Sequence, residues 1–509
     1  MRKIFKAVLI LSVMSAAFSC TMDLRQPGAI DADNAMTSIQ DAQNLRRGLY
    51  VNFRGIAAGG FVTNAEIQSD YFQPTSGYGN NYGPIFRWEF NSTESACESV
   101  WASCYTVISN CNFFIEQIEK VLNNPTEAFT DDDIDLLNLY LGEAYFFRAY
   151  CHYELAYRYC QVYDENTAAN TFGVPYIEVY NPTPDKDTYP ARGYLADTYS
   201  KINDDLDLAE ELITVSGSRA SMWLTSDVVS AFRARVYLAM KDYDNVITYS
   251  EPLISKYPLV TTAADFQSMW VNDSGSECIM QLDASSDSNN QPTSYDAGYI
   301  GYQVSYNDYQ PMYVPSLSVV QLYQEYPADL RYAQFFTRRE AVTPAGSDTI
   351  YLFTKFPGNP DLNPQGMTGS QSAYLHKNKP FRIAEVYLNL AEAYLESGNT
   401  TGASNMLQSL REARIPGYTQ GSYSSQELRQ QIKNERQREL IGEGFRLWDL
   451  KRWGDPVVRG AAQSDDIMYN HSSVTGQIAP ANDPRFVWPI PQTELDSNPN
   501  MAPQQNPGY

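Results

Sequence analysis

The chain has 509 residues, with 60 Asp and Glu against 37 Lys and Arg, and a formal charge of −23. That imbalance excludes nucleic-acid binding and electrostatic docking on anionic lipid, both of which depend on clustered Lys and Arg. A hydrophobic share of 43% with 13% aromatics excludes a disordered acidic tail, and the aromatics are lopsided, 38 Tyr beside 22 Phe and 7 Trp.

Residues 1–19 read as a signal peptide. Arg2, Lys3 and Lys6 precede an apolar run from Ala7 to Phe18, too short for the roughly 20 helical residues that span a bilayer. Ala17-Phe18-Ser19-Cys20 then resembles a bacterial lipobox, in which the cysteine is diacylated and becomes the new N-terminus. The alternative is an ordinary signal with Cys20 unmodified. Residues 20–38 are polar and suit a lipidated tether, so the expected membrane attachment is by lipid alone.

From residue 39 to 509 the pattern is mainly α-helical, one domain interrupted by loop insertions near 71–90, 281–315 and 454–509. Ser38–Phe53 has helix period, and a longer amphipathic run covers Ser95–Leu122. Thr130 followed by Asp131-Asp132-Asp133 supplies an N-cap and an acidic first turn. The helix it opens runs to about Tyr159 and is apolar on most sides, which predicts burial on more than one face. Further helices are predicted at 193–214, 226–240, 243–256, 381–397 and 400–414. Two of these pairs carry tetratricopeptide-like spacing, Ala234, Tyr237, Tyr243, Val246 and Pro258 in one and Tyr387, Ala391, Tyr394, Gly398 and Ala403 in the other. The insertions collect Gly, Pro and Tyr. Tyr295, Tyr299, Tyr302, Tyr306, Tyr309 and Tyr313 fall within 295–313.

Loops of that composition suit neutral polar ligands. Aromatic faces cover the C–H faces of a sugar ring, and Asn, Gln and Asp read its hydroxyls. The same surface can receive an extended peptide. The candidate ligand-binding residues are Tyr78, Asn80, Asn81, Tyr82 and Trp88 in the first insertion, and Asp296, Tyr299, Tyr302, Tyr306 and Tyr309 in the second. The competing reading for each ring is that it packs its loop onto the scaffold.

No catalytic residues are assigned. Neither GxSxG nor HExxH occurs, and three dispersed histidines, His152, His376 and His471, support neither a triad nor a multi-His metal site. Paired carboxylates for glycoside hydrolysis stay open, since the two acids can be distant in the chain. No cofactor or metal is expected, and the acids at 131–133 and 283–290 read as solvated surface. Cys97, Cys104 and Cys111 repeat every seven residues on one helix face, about 10 Å apart at 1.5 Å per residue. They read as buried small hydrophobes.

Residues 434–454, NERQRELIGEGFRLWDLKRWG, resemble the C-terminal signature of the SusD/RagB family, surface lipoproteins of Bacteroidetes. Arg436, Arg438, Glu439, Leu440, Gly442, Glu443, Gly444, Arg446, Asp449, Leu450, Arg452 and Trp453 all fall in its pattern. Gly48-Leu49-Tyr50, Trp101 to Asn112, Gly142 to Ala149, Gly173 to Tyr176, Arg382 to Tyr394 and the ending Pro489-Ile490-Pro491 to Tyr509 agree in order. The resemblance implies a SusD-like fold of tetratricopeptide-like helix pairs and irregular loops, and no catalysis. It also implies an outer-membrane, surface-exposed lipoprotein that binds an oligosaccharide and delivers it, as a lid, to a SusC-like TonB-dependent barrel. RagB-like members imply oligopeptides in place of glycans. A surface glycoside hydrolase is the rival from another class, and a scaffold that only gates the barrel is a third. The signature itself reads as an internal ion-pair network, and no binding residue is carried over from the family.

Overall fold

A computed structural model describes residues 35–284, 304–305, 308–362 and 375–509. The signal peptide and Cys20 lie outside them. Helix α1 (Ile39–Ile56) starts at Ser38, whose hydroxyl accepts from the Asp41 amide. It leads to α2 (Gly60–Gln68), the short strand β1 (Phe72–Pro74), one turn of helix α3 (Gly83–Arg87) and the long α4 (Ser95–Asn123). Thr130 and Asp133 close a reciprocal capping box on α5 (Asp131–Tyr159). As its composition predicts, α5 is enclosed. It packs against α1, α4 and α6 (Leu195–Leu212), and from Tyr140 to Ala156 every side chain is buried.

The second half begins with α7 (Ser226–Met240), α8 (Tyr243–Lys256), α9 (Ala263–Val271) and β2 (Cys278–Met280). Four short segments follow, β3 (Val304–Ser305), β4 (Asp308–Tyr309), β5 (Tyr313–Pro315) and α10 (Leu317–Gln324). Then come α11 (Leu330–Phe335), the hairpin β6 (Phe336–Thr343) and β7 (Gly346–Phe353), and β8 (Phe381–Arg382) leading into α12 (Ile383–Glu396). The chain ends with α13 (Thr400–Arg414), α14 (Ser425–Leu440), α15 (Arg446–Trp453), β9 (Val457–Arg459), β10 (Gly476–Ala479) and α16 (Gln492–Ser497).

The two tetratricopeptide-like units are α7–α8 and α12–α13. Far apart in sequence, they stack in space, because α12 packs on both α8 and α7. Small residues permit the approach: Val246 and Ala393 meet in one apolar cluster with Leu238, flanked by Tyr237 and Tyr243. The hydroxyl of Tyr394 donates to Glu251 across the same seam. All six cysteines of the described residues are buried and unpaired, as expected for small hydrophobes.

The 434–454 signature is a buried ionic lattice. Glu439 accepts from Arg331 at 3.1 Å, Arg382 at 3.0 Å and Arg414 at 3.0 Å. Glu435 pairs with Arg331, Arg411 and Arg438, and Arg436 grips Asp449 at 2.9 Å. Burial pushes these acids upward, yet the guanidiniums outweigh it. They hold Glu435 at about 2 and Glu439 well below the usual carboxylate range.

Candidate functional site

β1 pairs antiparallel with β5, Phe72 opposite Pro315 and Pro74 opposite Tyr313. This pairing draws the first insertion against the end of the second. A third segment joins them: Thr75 bridges Met468, the Ser76 amide donates to the Ile467 carbonyl and the Tyr469 amide to the Pro74 carbonyl. The tip of the β6–β7 hairpin closes one side, with the Ser76 hydroxyl 2.9 Å from that of Thr343.

Inside this cluster Arg87 is the organiser. Its Nη1 donates to the Tyr78 hydroxyl at 3.1 Å and to Asn80 Oδ1 at 2.9 Å, and its Nε to Glu89 at 2.7 Å. Asn81 Nδ2 donates to the Tyr78 carbonyl at 2.9 Å, and the Tyr313 hydroxyl to the Asn81 carbonyl at 2.7 Å. Tyr469 leans on Tyr78 with centroids 4.7 Å apart, and His471 stacks on Tyr469 at 5.6 Å. Asn80, Tyr82 and Trp88 all have left-handed backbone. Asn tolerates that conformation, but bulky rings there are strained, and such strain collects at functional sites. At Gly83 a Cβ would sit 2.0 Å from Asn80 Oδ1 and 2.7 Å from Arg87 Nη1, so a larger residue would displace that pair of side chains.

Beneath the loop Arg459 is buried, and among the described residues it forms no ion pair. It donates to the carbonyls of Ile67, Gln68, Ser69 and Ser473, and its guanidinium lies 3.7 Å from the Phe86 ring centroid. Burial lowers it to about 9, against the pull of Asp70 and Tyr313. Four carbonyls on one fork fix two chain segments under the site.

The sequence candidates separate on this geometry. Asn80 and Asn81 are exposed at the tip, and Tyr82 is half-buried beside them. Tyr78 is only 5% exposed, so it supports the tip and offers no open stacking face. Burial and the neighbouring Tyr469 push it up to about 12, which keeps its hydroxyl protonated. Trp88 is packed where an open ring was expected. It is 1% exposed, donates to the Gln68 carbonyl at 2.9 Å and packs edge-on against Phe486. Tyr309 is half-buried in β4, opposite Val304 and Ala341. Asp296, Tyr299, Tyr302 and Tyr306 lie outside the described residues. Sequence reasoning missed Arg87, Tyr469 and His471, and also Met312, whose carbonyl accepts from the Thr75 amide and whose sulfur lies 3.6 Å from Asn81 Nδ2. Only the shared loop-like composition of their segments hinted at them, because their convergence depends on long-range pairing.

Elsewhere, a cavity of about 110 Å³ lies between α2, α5, α7, α12 and α15, walled by Phe61, Tyr153, Trp270 and Trp448. The charges on its wall are already paired, as in Arg158–Glu154 and Arg235–Glu385. His152 is structural: burial lowers it to about 3, and it stacks on Tyr176 at 3.6 Å. Among the described residues no cluster of His, Cys, Asp or Glu is arranged to hold a metal. No helix there is long and apolar enough to cross a membrane.

Two family models match the chain. One, described as the SusD family, covers residues 283–509, and the other, described as "Starch-binding associating with outer membrane", covers residues 31–238. SusD-like protein P38 of Formosa agariphila is 25% identical over 93% of this chain and 90% of its own length. SusD-like protein P2 of the same organism is 26% identical over 80% of each. Among solved structures, a SusD superfamily protein of Bacteroides thetaiotaomicron superposes with a TM-score of 0.74 at 23% identity, covering 92% of this chain and all of that one. A SusD-like carbohydrate binding protein of Bacteroides vulgatus gives 0.73 at 20% identity, covering 92% of this chain and 98% of that one. At those identities the structures show the fold. With both family models in chain order and relatives matched along nearly the whole length, the chain belongs to the SusD/RagB family.

Proposed function

We propose that this protein is a carbohydrate-binding surface lipoprotein, anchored through Cys20, that captures an oligosaccharide and passes it to a SusC-like TonB-dependent barrel, for which it serves as lid. Binding involves no catalysis. The observation that carries the reading is the convergence of three loop segments through the β1–β5 pairing, which leaves Asn80 and Asn81 exposed above a tyrosine-packed base. The outer-membrane and starch-binding description of one matching family model supports the same reading. Side-chain amides take the hydroxyl pattern, and the half-buried edges of Tyr82, Tyr469 and His471 cover apolar ring faces.

A shallow site of this kind binds weakly alone and more tightly once enclosed against the barrel, where water is excluded from the same hydrogen bonds. The test is glycan affinity of the isolated lipoprotein against that of the assembled pair. Tighter binding by the pair supports the delivery role. Equal affinities contradict enclosure, and capture of oligopeptides in place of glycans moves the ligand to the RagB class.

A further inference from the structure

On the far end of the β6–β7 hairpin stands a donor-rich patch that the loop cluster does not use. Gln324 Nε2 lies 3.2 Å from the Tyr332 hydroxyl and 3.2 Å from the Tyr351 hydroxyl, and the two hydroxyls are 3.1 Å apart. The amide supplies protons to both oxygens, and one phenol supplies the other. One phenolic proton is therefore left without an acceptor among the described residues. Arg338 faces Tyr351 directly across the ladder, its guanidinium 5.9 Å from the ring centroid. Arg338 and Arg339 are both exposed. Among the described residues neither enters an ion pair, Arg339 donating only to the Arg338 carbonyl. Glu340 accepts from Ser347 and Asp348 from the Thr349 amide; Asp348 is held below its ordinary value by hydrogen bonds from Ser464 and Thr349, with the Arg338 charge acting only through space.

Arg338 and Arg339 follow one another in β6, so their side chains leave opposite faces of the hairpin, and only Arg338 shares a face with Tyr351. We infer that Arg338, Tyr351 and Tyr332 form a second subsite that binds an anionic group on the saccharide, a uronate carboxylate or a sulfate ester. A planar guanidinium takes two oxygens of such a group at once, and the uncommitted phenol proton takes a third. Thr343, at the other end of β6, touches the loop cluster, so the two sites are separated by five strand residues, about 17 Å. Tyr309 pairs at Ala341 between them. One short oligosaccharide spans that distance. The inference rests on the carbohydrate-binding reading and narrows it to charged glycans.

The test measures affinity of the mature chain for four probes: polygalacturonate and its carboxyl-reduced form, and a sulfated galactan and its desulfated form. The expected result is at least about tenfold tighter binding to one charged probe than to its neutral counterpart, which fixes whether carboxylate or sulfate is read. R338A should erase that preference with the fold intact, because the side chain is exposed, and Y351F should weaken it severalfold. Raised salt should weaken the charged probe alone. Equal binding of charged and neutral probes overturns the inference, as does a preference that survives R338A. If neutral glycans still bind and N80A/N81A abolishes that binding, the carbohydrate reading stands while this subsite falls. If no glycan binds, both fall.

Discussion

Replacing Glu439 by Gln removes one charge from the centre of the buried lattice while keeping the side chain's volume. The cations there are Arg331, Lys355, Arg382, Arg411, Arg414 and Arg438, matched by Glu277, Asp329, Glu435, Glu439 and Glu443, with Glu325 meeting Arg438 at the surface. The variant leaves a guanidinium uncompensated among side chains of essentially no exposure, a fault that costs about 3–5 kcal/mol. Unfolding entropy of about 2.1 cal/mol/K per residue gives roughly 1 kcal/mol/K for the described chain, so Tm should fall by about 3–5 °C at pH 7. The pH dependence adds a signed check. Burial raises Glu439, and Arg414, Arg382 and Arg331 overcome it, so its folded pKa is depressed. Its stabilisation is present above the unfolded value near 4.5 and is lost as pH falls, by about 1.4 kcal/mol per unit. Differential scanning calorimetry of both proteins from pH 7 to pH 3 reads the gap. A Tm loss under 1 °C at pH 7, or a gap that does not narrow below pH 4.5, refutes the lattice as a stabilising unit.

Glu66 gives the opposite sign. Burial pushes it up to about 8, against the pull of the Gly442 and Gly444 amides at 3.0 and 2.7 Å. Its contribution is therefore full below about 4.5 and is lost as pH rises through about 8; Glu66→Gln should abolish that slope in urea unfolding, and a slope retained by the variant contradicts the assignment. Trp88→Phe should destabilise by about 1–3 kcal/mol, from a small cavity and the lost indole donor to the Gln68 carbonyl, without changing glycan affinity. A large affinity loss with an unchanged melt would restore Trp88 as a ligand contact.

The helical scaffold was legible because its signals are local. Thr130 with three following aspartates marks the start of α5, and the spacing of Ala234, Tyr237 and Val246 marks a helix pair whatever lies elsewhere. The signature at 434–454 identified the lattice for a related reason: five basic and four acidic residues so closely interleaved satisfy each other when buried. The candidate site was legible only as composition. Trp88 reads as a surface ring in a loop of Gly, Asn and Tyr, yet Arg485 and Phe486, nearly 400 residues later, cover it. Tyr469 and His471 reach the tip only through the bridge between Thr75 and Met468. The β6–β7 hairpin escaped notice because Arg338, Arg339 and Glu340 break the apolar alternation that marks a strand, while cross-strand pairing with β7 holds it.

The central claim is that the loop cluster above Arg87 recognises carbohydrate. Calorimetric titration of the mature chain with a panel of neutral oligosaccharides, repeated with Asn80→Ala/Asn81→Ala, tests it most directly. The account predicts binding of at least one glycan, reduced at least about tenfold in the double variant. The variant's melting temperature falls by only about 1–3 °C, since Ala in the left-handed position of Asn80 and the lost surface hydrogen bonds cost little against roughly 1 kcal/mol/K of unfolding entropy. Undiminished glycan binding by that variant would contradict it.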